Sequence, residues 1–160
     1  MNVVMDTNVA IVANGQADHV NDACRDACAQ ELKRIQVKQC RLVMDCKGQI
    51  LDEYKRYLNW AGQPGPGDAF FKWVFDNQAI VWVCINEDAL LGYQEFPNDP
   101  ELNAFDRSDR KFVAVARAAD MDNPPLILNA SDTDWWDHRL AFANHNIQIK
   151  FLCCELMNQE

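Results

Sequence analysis

Several absences narrow the chemistry of this chain. It has no glycine-rich phosphate loop of either common type, so the backbone cradle on which Rossmann and P-loop nucleotide binding depend is missing. Its longest apolar runs are strand-sized, too short to cross a bilayer, and no basic n-region precedes an apolar h-region. Basic charge is scarce: 15 Lys and Arg stand against 24 Asp and Glu, a net charge of −9. That balance argues against gripping nucleic acid through bulk electrostatics. No CxxC pair, internal repeat or low-complexity tract occurs. The expectation is a soluble, cytoplasmic protein with no membrane partner. Any polyanionic substrate would then be met by bound cations or by a few placed arginines and lysines.

What is present suffices for one domain. A chain of 160 residues with 49% hydrophobic residues can enclose a core, so residues 1–160 are expected to form a single domain. Seven cysteines, an odd number without an export signal, predict reduced thiols rather than a disulfide framework. Cys24 and Cys28 share a helix face, and Cys153 and Cys154 are expected on opposite faces of a strand. A zinc site from Cys24, Cys28, Cys40 and Cys46 is conceivable, but buried structural thiols are the better reading.

Hydrophobic spacing alternates between strand and helix. "VVM" at Val3–Met5, "CRLVMD" at Cys40–Asp45, "AIVWVCI" at Ala79–Ile85, "LIL" at Leu126–Leu128 and "IQIKFLCC" at Ile147–Cys154 read as strands. Helices are expected over His19–Gln36, Gly48–Leu58, Ala69–Gln78, Asp109–Asp120 and, after the polar turn "NASDTD", Trp135–Asn146. Asp68 is placed to cap the third strand's preceding helix. This order predicts a three-layer α/β/α fold with a mainly parallel sheet. Ligands of such sheets bind outside the carboxyl ends of the strands, where Asp6, Asp45, Asp132 and Asp134 fall.

Each acid has a plain alternative. Asp6, in "VVMDTN", suits a turn or helix N-cap. Glu53 borders an apolar helix face and could pair with Lys47 or Arg56. Asp109 opens a helix, although Ser108 could cap it and leave the carboxylate to face the cleft. Asp132 and Asp134, with Asp137, exceed what one helix start requires, and their mutual repulsion would be relieved by cations. Taken together, carboxylates from separate segments suit Mg²⁺ or Mn²⁺.

The order of "VVMDTN", the Glu in "ILDEY", "DRKFVAVA" and "LILNASDTDW" resembles the PIN domain, a metal-dependent nuclease fold related to the flap-type nucleases. The resemblance spans Asn2 to about Leu152. It implies a catalytic and metal-binding centre of Asp6, Glu53, Asp109 and Asp132, with Asp134 in an outer metal position before Trp135. Asn8 and Ser131 match small polar positions near the metals. It also implies an endoribonuclease mechanism with metal-activated water, RNA as substrate, single-stranded DNA as a second candidate, and a toxin–antitoxin setting with a protein antitoxin. A homodimer is a further candidate assembly. Segments Trp60–Asp76 and Asn86–Ser108 are larger than a minimal member of that family needs.

Arg107, Arg110, Lys111 and Arg139 flank the proposed ligands and are the candidates for holding the phosphate backbone. Trp60, Trp73, Trp82, Trp135 and Trp136 could stack on bases, although Trp82 and Trp135 are better read as core. His19, His138 and His145 read as surface or packing residues. Three other functions compete: a non-catalytic PIN-like binding scaffold, a metal-dependent phosphatase and a response-regulator receiver. A haloacid dehalogenase-type phosphatase needs an acid where Asn8 stands, and a receiver domain needs a late strand-end lysine that the sequence does not offer.

Overall fold

The structure, a computed structural model, describes residues 1–157. In chain order it comprises β1 (Asn2–Met5), α1 (Thr7–Ala13), α2 (Asp22–Val37), β2 (Arg41–Asp45), α3 (Gln49–Tyr57), α4 (Pro66–Asp76) and β3 (Ile80–Val83). A short hairpin of β4 (Glu87–Asp88) and β5 (Gly92–Tyr93) follows, then 3₁₀ turns at Pro100–Leu102 and Arg107–Asp109. The chain continues with α5 (Arg110–Ala119), β6 (Leu126–Asn129), α6 (Thr133–Asp137), α7 (Arg139–Ala143), β7 (Ile149–Phe151) and α8 (Cys154–Met157).

Five strands form one sheet in the order β3-β2-β1-β6-β7, and every pairing in it is parallel. The expected three-layer α/β/α architecture is therefore present. Val3, Val4, Met5, Val43, Met44, Ile127 and Leu128 are buried because helices cover both faces of the sheet. Helices α1, α2 and α4 pack on one another, while α5 lies over β1, β2, β3 and β6.

Local chemistry sets the helix starts. Asp6 accepts a hydrogen bond from the Asn8 amide at 3.0 Å and caps α1. Asp45, fully buried at the end of β2, accepts from the amides of Gln49 and Ile50 at 2.9 and 2.8 Å and so starts α3. Asp68 sits inside the first turn of α4 rather than before it, accepting from the Gly65 and Asn59 amides. Gly67 lets α4 press against α1, because a Cβ there would lie 2.4 Å from the Ala10 carbonyl oxygen.

Strand order reverses between β1 and β6. The chain steps outward from β1 to β2 and β3, then returns to place β6 on the other flank of β1, with β7 beyond it. A crevice opens at the carboxyl ends of strands at such a reversal. Asp6 follows β1 and Asp132 follows β6, so both stand at its lip.

Four expectations are corrected. Cys24 is disulfide-bonded to Cys153 and Cys46 to Cys84, while Cys28, Cys40 and Cys154 are free. The last strand ends at Phe151, so Cys153 lies in a turn and Cys154 opens α8 instead of sharing a strand. Trp82 is 49% exposed because β3 is an edge strand, whereas Trp135 is fully buried as expected. The long helix expected at Trp135–Asn146 is broken at His138 into α6 and α7.

Candidate metal centre

Carboxylate oxygens of Asp6, Asp109 and Asp132 all lie within 4.8 Å of one another. Three separate segments deliver them: the β1–α1 junction, the start of α5 and the β6–α6 junction. Asp6 is buried, and Asp109 and Asp132 are half-buried.

Their local roles differ. Asp6 and Asp132 each cap a helix, with Asp132 accepting from the Asp134 amide at 2.9 Å. Asp109 makes no side-chain cap bond to α5. The preceding 3₁₀ turn is capped instead by Asp106, which accepts from the Ser108 amide and hydroxyl. The Asp109 carboxylate is thus left to face its two neighbours.

Burial and mutual repulsion raise all three carboxyl groups. Asp6 is held well above the usual carboxylate range, first by burial and then by the charges of Asp109, Glu53 and Asp132, against the pull of the Asn8 amide. Asp109 is pushed up to about 7 by burial, Asp132 and Asp106, with the Lys111 ammonium opposing. Asp132 is raised by burial and by Asp134 and Asp106. Three like charges in a partly dry pocket favour either shared protons or a cation. An all-oxygen donor set of this size fits Mg²⁺ or Mn²⁺ better than softer metals.

Buried polar residues hold the centre. Asn129, fully buried, donates from Nδ2 to Asp6 at 3.5 Å and accepts the Asp132 amide at 2.9 Å, linking two of the acids. Asn8 Oδ1 accepts the Ala130 amide at 3.1 Å and joins the two strand ends. Tyr54 donates its hydroxyl to the Met5 carbonyl at 2.5 Å, directly behind Asp6. The sequence alone marks neither Asn129 nor Asp106 as a site residue, and Tyr54 reads there only as part of the apolar face of its helix. The available signal for Asn129 was a polar residue closing an apolar strand. Ser131 is buried beside Asp132, and both line a groove of about 460 Å³ with Asn8 and His19.

Two of the acids implied by the resemblance stand apart from the trio. Glu53 is bound by the Lys111 ammonium at 2.9 Å and by the Thr7 hydroxyl, not by Lys47 or Arg56. Asp134 accepts the Asp106 amide at 2.9 Å and pairs with His138 at 3.3 Å.

The basic candidates are largely committed within the fold. Arg110 is 3% exposed, and its guanidinium donates to the carbonyls of Leu91, Leu102, Asn103 and Phe105. Lys111 is buried on Glu53 and the Ser108 carbonyl. Arg107 donates to the carbonyls of Leu90 and Ala89. Arg139 stacks 3.8 Å from the Trp136 ring centroid and donates to the Trp136 carbonyl. Arg110 and Lys111 are therefore structural, correcting their reading as substrate contacts. Their flanking position in sequence conceals that both side chains turn inward.

Comparison with protein-family models, with curated proteins and with solved structures found no match. The arrangement of the site itself carries the functional argument. Among the described residues, no helix is long and apolar enough to cross a membrane.

Proposed function

We propose that this chain is a divalent-metal-dependent nuclease with a PIN-like centre, acting in the cytoplasm as an endoribonuclease. The observation that supports the reading is the convergence of Asp6, Asp109 and Asp132 at the strand-order reversal. A bound Mg²⁺ or Mn²⁺ would supply a water of lowered pKa and charge stabilisation at the scissile phosphate. Asp6, Asp109 and Asp132 would hold it, and Asn129 and Asn8 would fix the spacing between the two strand ends. Glu53, neutralised by Lys111, acts in the supporting layer that orients Thr7 beside Asp6. A toxin–antitoxin pairing is the biological setting this activity suggests, with single-stranded DNA as an alternative substrate and a homodimer as an alternative assembly.

A metal-dependent phosphatase is the second reading. It is favoured by the inward commitment of Arg110 and Lys111, which removes two of the four side chains proposed for a long polyanionic backbone. A small phosphate ester needs fewer such contacts. The test is cleavage of mixed RNA, single-stranded DNA and a phosphomonoester with Mg²⁺, with Mn²⁺ and with chelator. Metal-dependent RNA cleavage that Asp6→Asn abolishes supports the nuclease. Turnover of the monoester alone replaces it with the phosphatase, and no turnover of any substrate leaves the binding scaffold.

A further inference from the structure

Away from the acids, three sulfurs meet where α2 passes the chain beyond β7. Cys24 and Cys28 stand one turn apart on α2, and Cys153 closes over them. All three side chains are buried, and their sulfurs lie within 4.8 Å of one another. Cys28 Sγ is 4.0 Å from Cys153 Sγ. Cys40 and Cys46 are not part of the group, so the four-cysteine zinc site conceivable from sequence does not form. Cys24 and Cys153 are bonded to each other, and Cys28 is a free thiol beside them.

We infer that reduction turns this cluster into a buried trithiolate site for a thiophilic d¹⁰ cation of the Zn²⁺ class. The inference is independent of the nuclease reading. A metal–sulfur bond of about 2.3 Å sets the sulfurs of a tetrahedral or trigonal site about 3.8–4.0 Å apart. The Cys28–Cys153 pair already has that separation. Thiolates and imidazoles suit Zn²⁺, while the all-oxygen trio elsewhere suits harder ions, so the two sites would not compete for one metal. A groove of about 140 Å³ lined by Asn21, Ala27, Leu152, Cys154 and Glu155 adjoins the cluster and gives a path for entry. It also leaves room for a water as a fourth ligand.

The chemistry balances in two stages. A dithiol reductant breaks the Cys24–Cys153 bond, giving two electrons and two protons to the sulfurs and becoming a cyclic disulfide. The cation then displaces one proton from each of the three thiols and forms three metal–sulfur bonds. Burial, with the Glu31 charge second, pushes the Cys28 thiol up to about 12. An unassisted thiolate is therefore scarce at neutral pH, and the cation's charge is what removes that proton.

The probe is Cd²⁺, titrated without air into the full chain after dithiol reduction and removal of the reductant, with Mg²⁺ in excess to cover the acidic centre. In a Cys46→Ser/Cys84→Ser background, which removes the second thiol pair that the dithiol would free, thiolate-to-cadmium charge-transfer absorption should saturate at one equivalent. It should be absent from the oxidised protein and unchanged in Cys40→Ser. In Cys28→Ser its intensity should fall by about a third, from three thiolate ligands to two. A measurement on the wild-type chain guards against a misfolded variant: with one equivalent of Zn²⁺ bound, Cys24, Cys28 and Cys153 should resist alkylation, mapped by mass. Folded, reduced protein that shows no band, or Cys24, Cys28 and Cys153 alkylated equally with and without Zn²⁺, overturns the site. So does a bond between Cys24 and Cys153 that the dithiol cannot break in the folded chain.

Discussion

Lys111 Nζ lies 2.9 Å from Glu53 Oε1, across 58 positions of sequence. The acid that stands outside the aspartate trio therefore has a cation of its own. The pair ties α3 to α5 directly beside the centre, and it makes Glu53 a different kind of residue from Asp6.

The first prediction follows from that difference. Glu53→Gln should reduce metal-dependent cleavage by about 10- to 100-fold, the range for residues that orient metal ligands. Asp6→Asn should reduce it further, because it removes a charge from the trio itself. Steady-state cleavage rates of both variants at saturating Mn²⁺ decide it, and a Glu53→Gln defect equal to that of Asp6→Asn would return Glu53 to the ligand set.

Asp6 has two separable duties, since it caps α1 and faces two like charges. Asn caps as well as Asp, so Asp6→Asn should be as stable as wild type or more so in chelator. Asp6→Ala loses the cap and should be less stable than Asp6→Asn by about 0.5–2 kcal/mol. Denaturant unfolding of the three proteins with chelator measures this. Destabilisation by Asn as large as by Ala would mean that the carboxylate charge itself stabilises the fold, against both the repulsion and the interchangeable cap.

Divalent metal should reverse that order. An ion that binds only the folded state, present at about a hundredfold its dissociation constant, raises stability by about 2.7 kcal/mol. Wild type should show that rise with Mn²⁺, and Asp6→Asn should show much less. Melting curves of wild type that ignore Mn²⁺ would rule out a metal role for the trio.

The raised carboxyl of Asp109 gives a pH dependence with a definite sign. Its folded pKa of about 7 exceeds the unfolded value of about 3.9. The fold therefore binds that proton more tightly than the unfolded chain does. The stabilisation is complete below about pH 4 and is lost as pH rises through about 7. In chelator, wild type should lose stability relative to Asp109→Asn across this window. With Mn²⁺ the trend should invert, because the ion requires ionised carboxylates. Parallel stability profiles of wild type and Asp109→Asn in chelator would contradict the shift.

Arg110→Met should destabilise by about 3 kcal/mol or more, because it strands buried carbonyls that a charged donor satisfies. Its KM for any substrate that the folded variant turns over should match wild type. A raised KM with unchanged stability would restore Arg110 as a substrate contact.

Sequence spacing was sufficient where structure is local. Alternating apolar segments foretold the parallel sheet, and an acid closing "VVMD" or following "LILN" marked strand ends, because strand-to-helix turns are written in consecutive residues. Partnerships across the chain were not legible. Lys111 sits two places from Asp109 and reads as a flanking charge, yet its ammonium reaches Glu53 on another helix. Cys24 and Cys153 are separated by 129 positions, and no spacing rule reaches that far. Trp82 belongs to the most strand-like segment, but only the strand order reveals that β3 is an edge. The break at His138 was hidden for a different reason, since the helical spacing of apolar residues continues through it.

Arg110 binds the segment Asn86–Ser108 by four backbone oxygens and by one side chain, the Phe96 ring, whose centroid lies 4.4 Å from the guanidinium carbon. A carbonyl is the same at every residue, so apart from the buried Phe96 this anchor does not depend on which side chains the segment carries. Outward-facing positions such as Leu90, Asn98 and Asn103 can therefore drift under selection while the next residue back from the anchor, Asp109, stays where the other two aspartates need it. The insertion is in that sense an evolvable face mounted on a fixed hinge-pin, free to acquire a new specificity without renegotiating the chemistry beside it.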